Sequence, residues 1–502
     1  MSDAASERTN TMTSETRSAQ RDEQPNGGQQ SGGVRRAARH ATRWLLTVVV
    51  VVALAAGGWA LTTLTTPEVD LSRQASTVVP ASVESTRVCP VGFRTGGSMT
   101  SVDAGDAVGS GSIAAISDSD LTVQGIGQPS PAPFGTAGRV ATRDGVSAST
   151  VVRTSTDHQS ELGVLSGARI DDGQTRGTVL AGCTSPTFDS WIGGGSQQVG
   201  RSTSVRLVNP SSLASTVTLT VFTGEGQLLT TTGQLNIEAG SERVLPISAV
   251  TTTDQQIFVR VQAVRAPVAA FLQQSTARGL EAGGLDVQAP GAQPATQQSI
   301  TGVHIAGSAD RAGLAGESGW EDTQPVLRLL SPDEGTVAHV TVSGAASRTF
   351  DVSLTQGVVV DSPLGDLPDG DYQISVVADA AIVGAARVTS GARDQADFTW
   401  LQSADAVTAP LSFAVPSTPA KLALQVSGTP STTVSVQVDG ASRDVQLDDS
   451  GIGTLDVSAG QSVEVRPTQA VHLAVATSGG DGIAATALAG VEAAGAVDVL
   501  AR

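Results

Sequence analysis

The sequence predicts an all-β protein of tandem immunoglobulin-like β-sandwich modules that follow one N-terminal transmembrane helix. Three observations support this prediction. The composition favours strands, a strand pattern recurs along the chain, and one long apolar segment stands near the N-terminus. Val and Thr are β-branched and fit a pleated sheet better than a helix, and 56 Gly and 22 Pro supply the turns between short strands. The 502 residues are enough for several cores.

The first element is a polar N-terminal tail over residues 1–43. Ser, Thr, Gln and Gly dominate it, and large apolar residues are almost missing from it. Such a segment cannot bury enough apolar surface to offset the entropy of ordering. We therefore expect a disordered cytoplasmic tail.

The second element is the apolar run from Trp44 to Leu64, which has 21 residues and no charge. A helix of ~20 apolar residues spans a bilayer core. Four basic residues stand just before it: Arg35, Arg36, Arg39 and Arg43. The positive-inside rule then predicts a single-pass signal-anchor with the N-terminus in the cytoplasm and the C-terminal bulk outside. The alternatives are a cleaved signal peptide, with a weak cleavage site at Gly58 and Ala60, and a buried core helix.

The charge distribution limits the partners of the expected extracytoplasmic part. Residues 1–43 carry a net charge of +2, whereas the remainder carries −20. Nucleic-acid binding requires a basic surface, so the outer part is not expected to bind nucleic acid. Cations and neutral glycans remain compatible with an acidic surface.

The two cysteines, Cys89 and Cys183, both follow the apolar run. An even pair in an oxidising compartment predicts one disulfide. A metal site or a catalytic thiol is the alternative, but neither cysteine has a histidine nearby, and structural zinc usually needs four ligands at short spacings.

A strand that ends in proline recurs along the chain. The copies are VRLVNPS (205–211), LRLLSPD (327–333) and LSFAVPS (411–417), and a weaker copy is TRVCP (86–90). Alternating apolar residues predict one buried face, and proline ends a strand ladder because it lacks an N–H. The copies stand about 85 to 120 residues apart, a spacing that suits a sandwich of about seven strands.

These repeats predict the domain boundaries. We expect a divergent module with the disulfide at 83–199, a sandwich module at 200–288, a linker at 289–323, and further sandwich modules at 324–405 and 406–502. The linker is predicted from its high content of Ala, Gly, Gln and Ser.

A tryptophan precedes each clear repeat: Trp191, Trp320 and Trp400. Exposed tryptophans stack on sugars, so these three are candidate glycan-stacking residues. Packing is the favoured interpretation, because Trp buries a large apolar area and each module has the same structural need.

The chain resembles a known family through several short motifs. These are a Cys-Pro pair at 89–90, Trp-Ile-Gly-Gly-Gly at 191–195, Leu-Val-Asn-Pro at 207–210, Gly-Asp-Tyr at 370–372 and Asp-Phe-Thr-Trp at 397–400. Together with the basic tail and the apolar run, they resemble an uncharacterised actinobacterial family of membrane-anchored exported proteins, a domain of unknown function. The resemblance covers about residues 35–502. It implies a cell-envelope protein and assigns no catalytic or ligand residue.

Residues with catalytic or metal-binding chemistry are sparse in this sequence. The five His are far apart, and the sequence has no zinc-protease, nucleophile-elbow, P-loop or dinucleotide motif. Asp366, Asp369 and Asp371 form a weak calcium candidate, because calcium prefers several carboxylate oxygens in one turn. Pro-Asp-Gly between two strand patterns is also ordinary hairpin chemistry. No cofactor and no catalytic residue are predicted.

The sequence therefore predicts a non-catalytic, membrane-anchored scaffold or interaction protein of the cell envelope. A protein that binds cell-wall or capsular carbohydrate is the alternative hypothesis. A hydrolase or transferase with a site split between modules is a third, since the members of a catalytic triad need not be close in sequence.

Overall fold

The structure of the chain is a computed structural model. It describes residues 48–56, 59, 75–78, 85–98, 104–135, 139–154, 162–173, 175–229, 235–251, 256–314, 316–477, 482–490 and 497–500. The chain divides into two compact units, one of Met1–Ser76 with Val499–Arg502 and the other of Thr77–Asp498. All four modules discussed below lie in the second unit.

The predicted membrane segment is described only in part. Residues 48–56 are helical, whereas the rest of the segment, apart from residue 59, lies outside the described residues, as does the whole predicted tail at 1–43. Within the described ranges, no helix combines the length and the apolar content that a membrane crossing requires.

The remainder is an all-β structure, as the composition predicts. Strand β1 (Ala75–Val78) precedes the modules. The first module holds ten strands, β2 (Thr86–Cys89), β3 (Phe93–Thr95), β4 (Asp106–Val108), β5 (Gly111–Ser117), β6 (Leu121–Gly125), β7 (Ala132–Gly135), β8 (Arg139–Val146), β9 (Thr150–Thr154), β10 (Gly163–Asp171) and β11 (Arg176–Gly182). They form two four-stranded sheets, β2-β9-β6-β7 and β11-β10-β5-β8, and the small pair β3-β4.

The second module again consists of two sheets. Its strands are β12 (Asp189–Gly193), β13 (Arg201–Asn209), β14 (Ser215–Thr223), β15 (Gly226–Leu229), β16 (Leu235–Ile237), β17 (Ser241–Pro246), β18 (Ile257–Val264), β19 (Ala269–Arg278) and β20 (Glu281–Gln288). The sheets are β12-β18-β14-β15, with β16 also on β14, and β17-β13-β19-β20. Because β12 pairs with β18, this module begins before residue 200.

The third module is organised around one long strand. Its elements are β21 (Ala295–Ile305), a short helix (Ser308–Ala312), β22 (Val326–Leu330), β23 (Thr336–Gly344), β24 (Arg348–Leu354), β25 (Val359–Pro363), β26 (Gly370–Ser390) and β27 (Asp397–Gln402). The first half of β26 pairs with β21 and β23, and its second half pairs with β22 and β27. This 21-residue strand therefore belongs to both halves of the module.

The fourth module completes the series. Its strands are β28 (Leu411–Ala414), β29 (Lys421–Ser427), β30 (Thr433–Val438), β31 (Ala441–Ser442), β32 (Val445–Gln446), β33 (Ile452–Ser458), β34 (Ser462–Arg466), β35 (His472–Thr477) and β36 (Ala485–Leu488). The sheets are β28-β34-β30, extended by β31 and β32, and β33-β29-β35-β36. A last strand, β37 (Val497–Leu500), pairs with β1.

The predicted linker at 289–323 contains part of the third module. Strand β21 lies in this segment and pairs with β26. Its side chains Ile300, Val303 and Ile305 are buried in the core of the module. Residues 295–305 of the predicted linker therefore form a core strand rather than a connection. The composition does not reveal this strand, because its first three residues are exposed.

The modules share buried apolar clusters. One cluster joins the first and second modules, a second joins the second and third, a third joins the third and fourth, and a fourth joins the fourth and first. In the last of these, Leu165 and Leu180 of the first module lie in the core of the fourth. The fourth module thus packs back on the first, which the repeat pattern does not predict.

The predicted disulfide between Cys89 and Cys183 is confirmed. It joins the end of β2 to the residue after β11, and both cysteines lie in the core of the first module. The bond thereby ties together the two ends of this module.

Candidate binding groove between the first and fourth modules

A buried carboxylate, Asp397, fixes the positions of the modules around it. It accepts hydrogen bonds from the backbone N–H of Thr178 in the first module (2.9 Å) and of Leu285 in the second (3.3 Å). A third donor is the N–H of Phe398, its neighbour in the third module (3.0 Å). Gly482 of the fourth module packs so closely that an added Cβ would lie 2.6 Å from the carboxylate. One side chain therefore contacts all four modules.

A second buried carboxylate, Asp286, lies next to this junction. It accepts the N–H of Trp400 (2.7 Å) and of Val287 (2.9 Å) and the amide of Gln288 (3.1 Å). Burial raises the pKa of Asp286 from 3.8 to about 7. Burial likewise raises the pKa of Asp397 well above its ordinary value, and the negative charge of Asp286 adds to that shift.

This carboxylate predicts a pH dependence of stability. Between about pH 4 and pH 7 the folded chain keeps a proton on Asp286 that the unfolded chain releases. The protonated Asp286 therefore contributes fully to the free energy of unfolding below about pH 4. This contribution falls by up to about 4 kcal/mol as pH rises to about 7. Asp286→Asn is expected to flatten this slope in urea unfolding curves at pH 4.5 to 8. The exposed Asp456→Asn is the control, and an unchanged slope in Asp286→Asn would contradict the prediction.

The groove itself lies between the first and fourth modules, with Ala289 and Pro290 closing one side. Its cavity volume is about 440 Å³. Pro290, Pro410 and Leu411 supply apolar surface that is not fully buried, whereas Thr184 and Ser412 add hydroxyl groups. The two modules approach at backbone level here, since a Cβ on Gly163 would overlap the carbonyl oxygen of Ser412. The groove is thus bounded by packed strands and not by side chains alone.

Arg87 is the one ionisable side chain among the described residues that line the groove. It lies in β2, two residues before Cys89, and is only 9% exposed. One guanidinium nitrogen, Nη1, donates to the Ser185 hydroxyl and, at 3.5 Å, to the Thr86 carbonyl. No carboxylate pairs with Arg87 within the part of the chain that the structure describes, and burial lowers the pKa of its guanidinium.

The edge of strand β36 also borders the groove. Among the strands that the structure describes, β36 pairs with β35 and has no partner on its other side. The N–H of Ala485 points away from β35 and donates to the Thr399 hydroxyl (3.2 Å). Alternate residues of an antiparallel strand direct their backbone groups to the same side, so the backbone of Ala487 faces outward, and Ala487 lines the groove.

The three predicted glycan-stacking residues lie elsewhere. Trp191, Trp320 and Trp400 are 3%, 5% and 3% exposed, so none offers a face to a sugar. A guanidinium covers each ring, that of Arg260 on Trp191, of Arg278 on Trp320 and of Arg328 on Trp400, at 4.9, 4.4 and 4.4 Å from the centroid. The packing interpretation is the one that the structure supports.

The weak calcium candidates do not converge on one point. The carboxylate of Asp369 accepts the N–H groups of Gly307 (2.8 Å) and Ser308 (2.9 Å). The Asp371 carboxylate lies 2.7 Å from His304 on the opposite strand. Across the described ranges, no group of three or more His, Cys, Asp or Glu is placed to hold a metal ion.

The sequence reasoning missed Arg87, Asp286 and Asp397 as individual residues. Two of them lie inside motifs that it did single out, Arg87 in TRVCP and Asp397 in Asp-Phe-Thr-Trp. Each is a charged residue next to a buried apolar residue of its own strand, and a charge is rarely buried without a partner or a role. That contrast is the signal that could have found them.

Comparison with known proteins assigns a family but no activity. No curated protein matches the chain. A family model described as "Family of unknown function (DUF5719)" matches residues 140–468, which run from β8 of the first module to β34 of the fourth. The expected resemblance to an uncharacterised family is confirmed to that extent, and the chain belongs to the DUF5719 family of unknown function.

Proposed function

We propose that this chain is a non-catalytic, membrane-anchored scaffold or interaction protein of the bacterial cell envelope, and that its groove receives a partner. The observation that carries the proposal is the preformed groove between the first and fourth modules. Shared apolar clusters and the Asp397 junction hold these modules together, so the groove needs no rearrangement to accept a ligand.

The anchor is part of the proposal, with the N-terminus in the cytoplasm and the modules outside. Helical residues 48–56 expose a run of large apolar side chains, among them Val48 at 49% and Leu54 at 70%. Exposed apolar side chains on a helix are unfavourable in water and favourable in lipid. The disulfide fits an oxidising compartment.

The three tryptophans that suggested a carbohydrate-binding protein are buried, so they do not support that alternative hypothesis. A glycan site would have to rest on other side chains.

Site-specific photo-cross-linking in intact cells tests the proposed function. Ala489 lines the groove and is exposed, so a photoreactive residue there is expected to form a reproducible adduct with a partner. The matched control carries the same photoreactive residue in place of Asp456, which is exposed on β33, the other edge strand of the sheet that contains β36. It should form no adduct. No adduct from position 489, or the same adducts from both positions, would contradict the proposal.

A further inference from the structure

We propose that the groove binds the carboxyl-terminal end of an extended polypeptide, whose terminal carboxylate pairs with Arg87. This inference deepens the proposed binding function and rests on it.

The guanidinium of Arg87 gives the described lining of the groove its charge. Arg87 is nearly buried, and its hydrogen bonds within the described structure involve Nη1 alone, with a hydroxyl and a carbonyl as acceptors. The other two guanidinium nitrogens, Nε and Nη2, have no hydrogen-bond partner among the described residues. They are also not enclosed in the protein, since neither is a buried unsatisfied atom. Two N–H-bearing nitrogens of one guanidinium match the two oxygens of one carboxylate.

Acidic residues outnumber basic residues in the part of the chain that forms the groove. The residues after the tail carry a net charge of −20, yet this buried arginine has no acidic partner in the described structure. A desolvated cation without a counter-charge is costly to keep. A single bound carboxylate would neutralise it, and one cation with two free nitrogens fits a singly charged group.

The lining of the groove suits a polypeptide better than an acyl chain. A fatty acid needs apolar walls only, whereas this groove also offers hydroxyl groups and the outward backbone of Ala487. The Ala487 carbonyl accepts only a long contact from the Thr486 hydroxyl (3.5 Å), and no described strand pairs with this edge of β36. An extended peptide satisfies such an edge with main-chain hydrogen bonds. Its alternate side chains would then contact the accessible apolar surface of Pro290, Pro410 and Leu411.

The test compares free and blocked carboxyl termini on the full-length protein in detergent. The probe is a library of random heptapeptides with free carboxyl termini, with the same library amidated as its counterpart. Selection is expected to enrich free acids with apolar residues near the terminus. Amidation of the selected peptide, or the variant Arg87→Gln, is expected to weaken binding about tenfold or more. The variant should bind acid and amide equally.

Matched variants separate recognition from folding. Arg169→Gln removes an exposed arginine of β10 outside the groove lining and should leave the affinity unchanged. Ala489→Trp should block the groove to acid and amide alike. If Arg87→Gln lowers the thermal unfolding midpoint strongly, the acid and amide comparison on the unmodified protein decides alone.

Two results would overturn the inference. One is equal enrichment of the free and amidated libraries, and the other is Arg87-dependent binding of palmitate with no peptide selected. A partner adduct from position 489 together with either result would leave the proposed function intact and reject only the carboxylate.

Discussion

Asp397→Ala is expected to lower the free energy of unfolding of the modules by about 3 to 6 kcal/mol. The substitution leaves three N–H groups without their acceptor, those of Thr178, Leu285 and Phe398. Each unsatisfied buried donor costs about 1–3 kcal/mol. Because the donors belong to three modules, the loss also loosens the contacts between them. Urea unfolding followed by tryptophan fluorescence measures the effect.

The control for this variant is Asp379→Ala, which removes an exposed carboxylate from β26 in the same module. It should change stability by no more than about 0.5 kcal/mol. If both variants were equally stable, Asp397 would not hold the junction together.

Gly163→Ala is expected to be the second most damaging change, at about 3 kcal/mol or more. The new methyl group would overlap the Ser412 carbonyl oxygen and would also lie 2.7 Å from the carbonyl carbon. Backbone atoms cannot rotate away as a side chain can, so the first and fourth modules must separate locally. Hydrogen exchange is expected to rise in β28 and β10, which face each other there.

Gly316→Ala is the matched control, because no atom of the described structure lies within 4 Å of the position its Cβ would take. It should leave hydrogen exchange in β28 and β10 unchanged. Unchanged exchange in Gly163→Ala as well would show that the two modules tolerate a wider separation than the structure has.

The sequence predicted the strands better than it predicted how the modules meet. The alternating patterns at 205–211 and 327–333 fall on real strands, β13 and β22, although the packed modules bury both faces of each strand over most of the pattern. Strand β21 escaped prediction because its order depends on pairing with β26, more than 60 residues away in the chain. Local composition cannot report such a partner.

The candidate groove could not be predicted from the sequence, because it forms only where segments far apart in the chain pack together. Arg87, Leu165 and Leu488 come from β2, β10 and β36, and nothing in their local sequence connects them. For the tryptophans, the sequence showed that the residue recurs but not what each ring contacts. Whether a ring faces a ligand or an arginine is decided by the residues packed against it.

The return of the fourth module onto the first has a consequence for biosynthesis. Leu165 and Leu180 emerge from the ribosome more than 200 residues before the core of β28 to β36 that covers them. Until then, two large apolar side chains of the first module stay open to solvent and to other nascent chains. A chain shortened at its C-terminus keeps them open permanently. Late truncation is therefore expected to produce aggregation and degradation of a protein whose first module is itself unaltered.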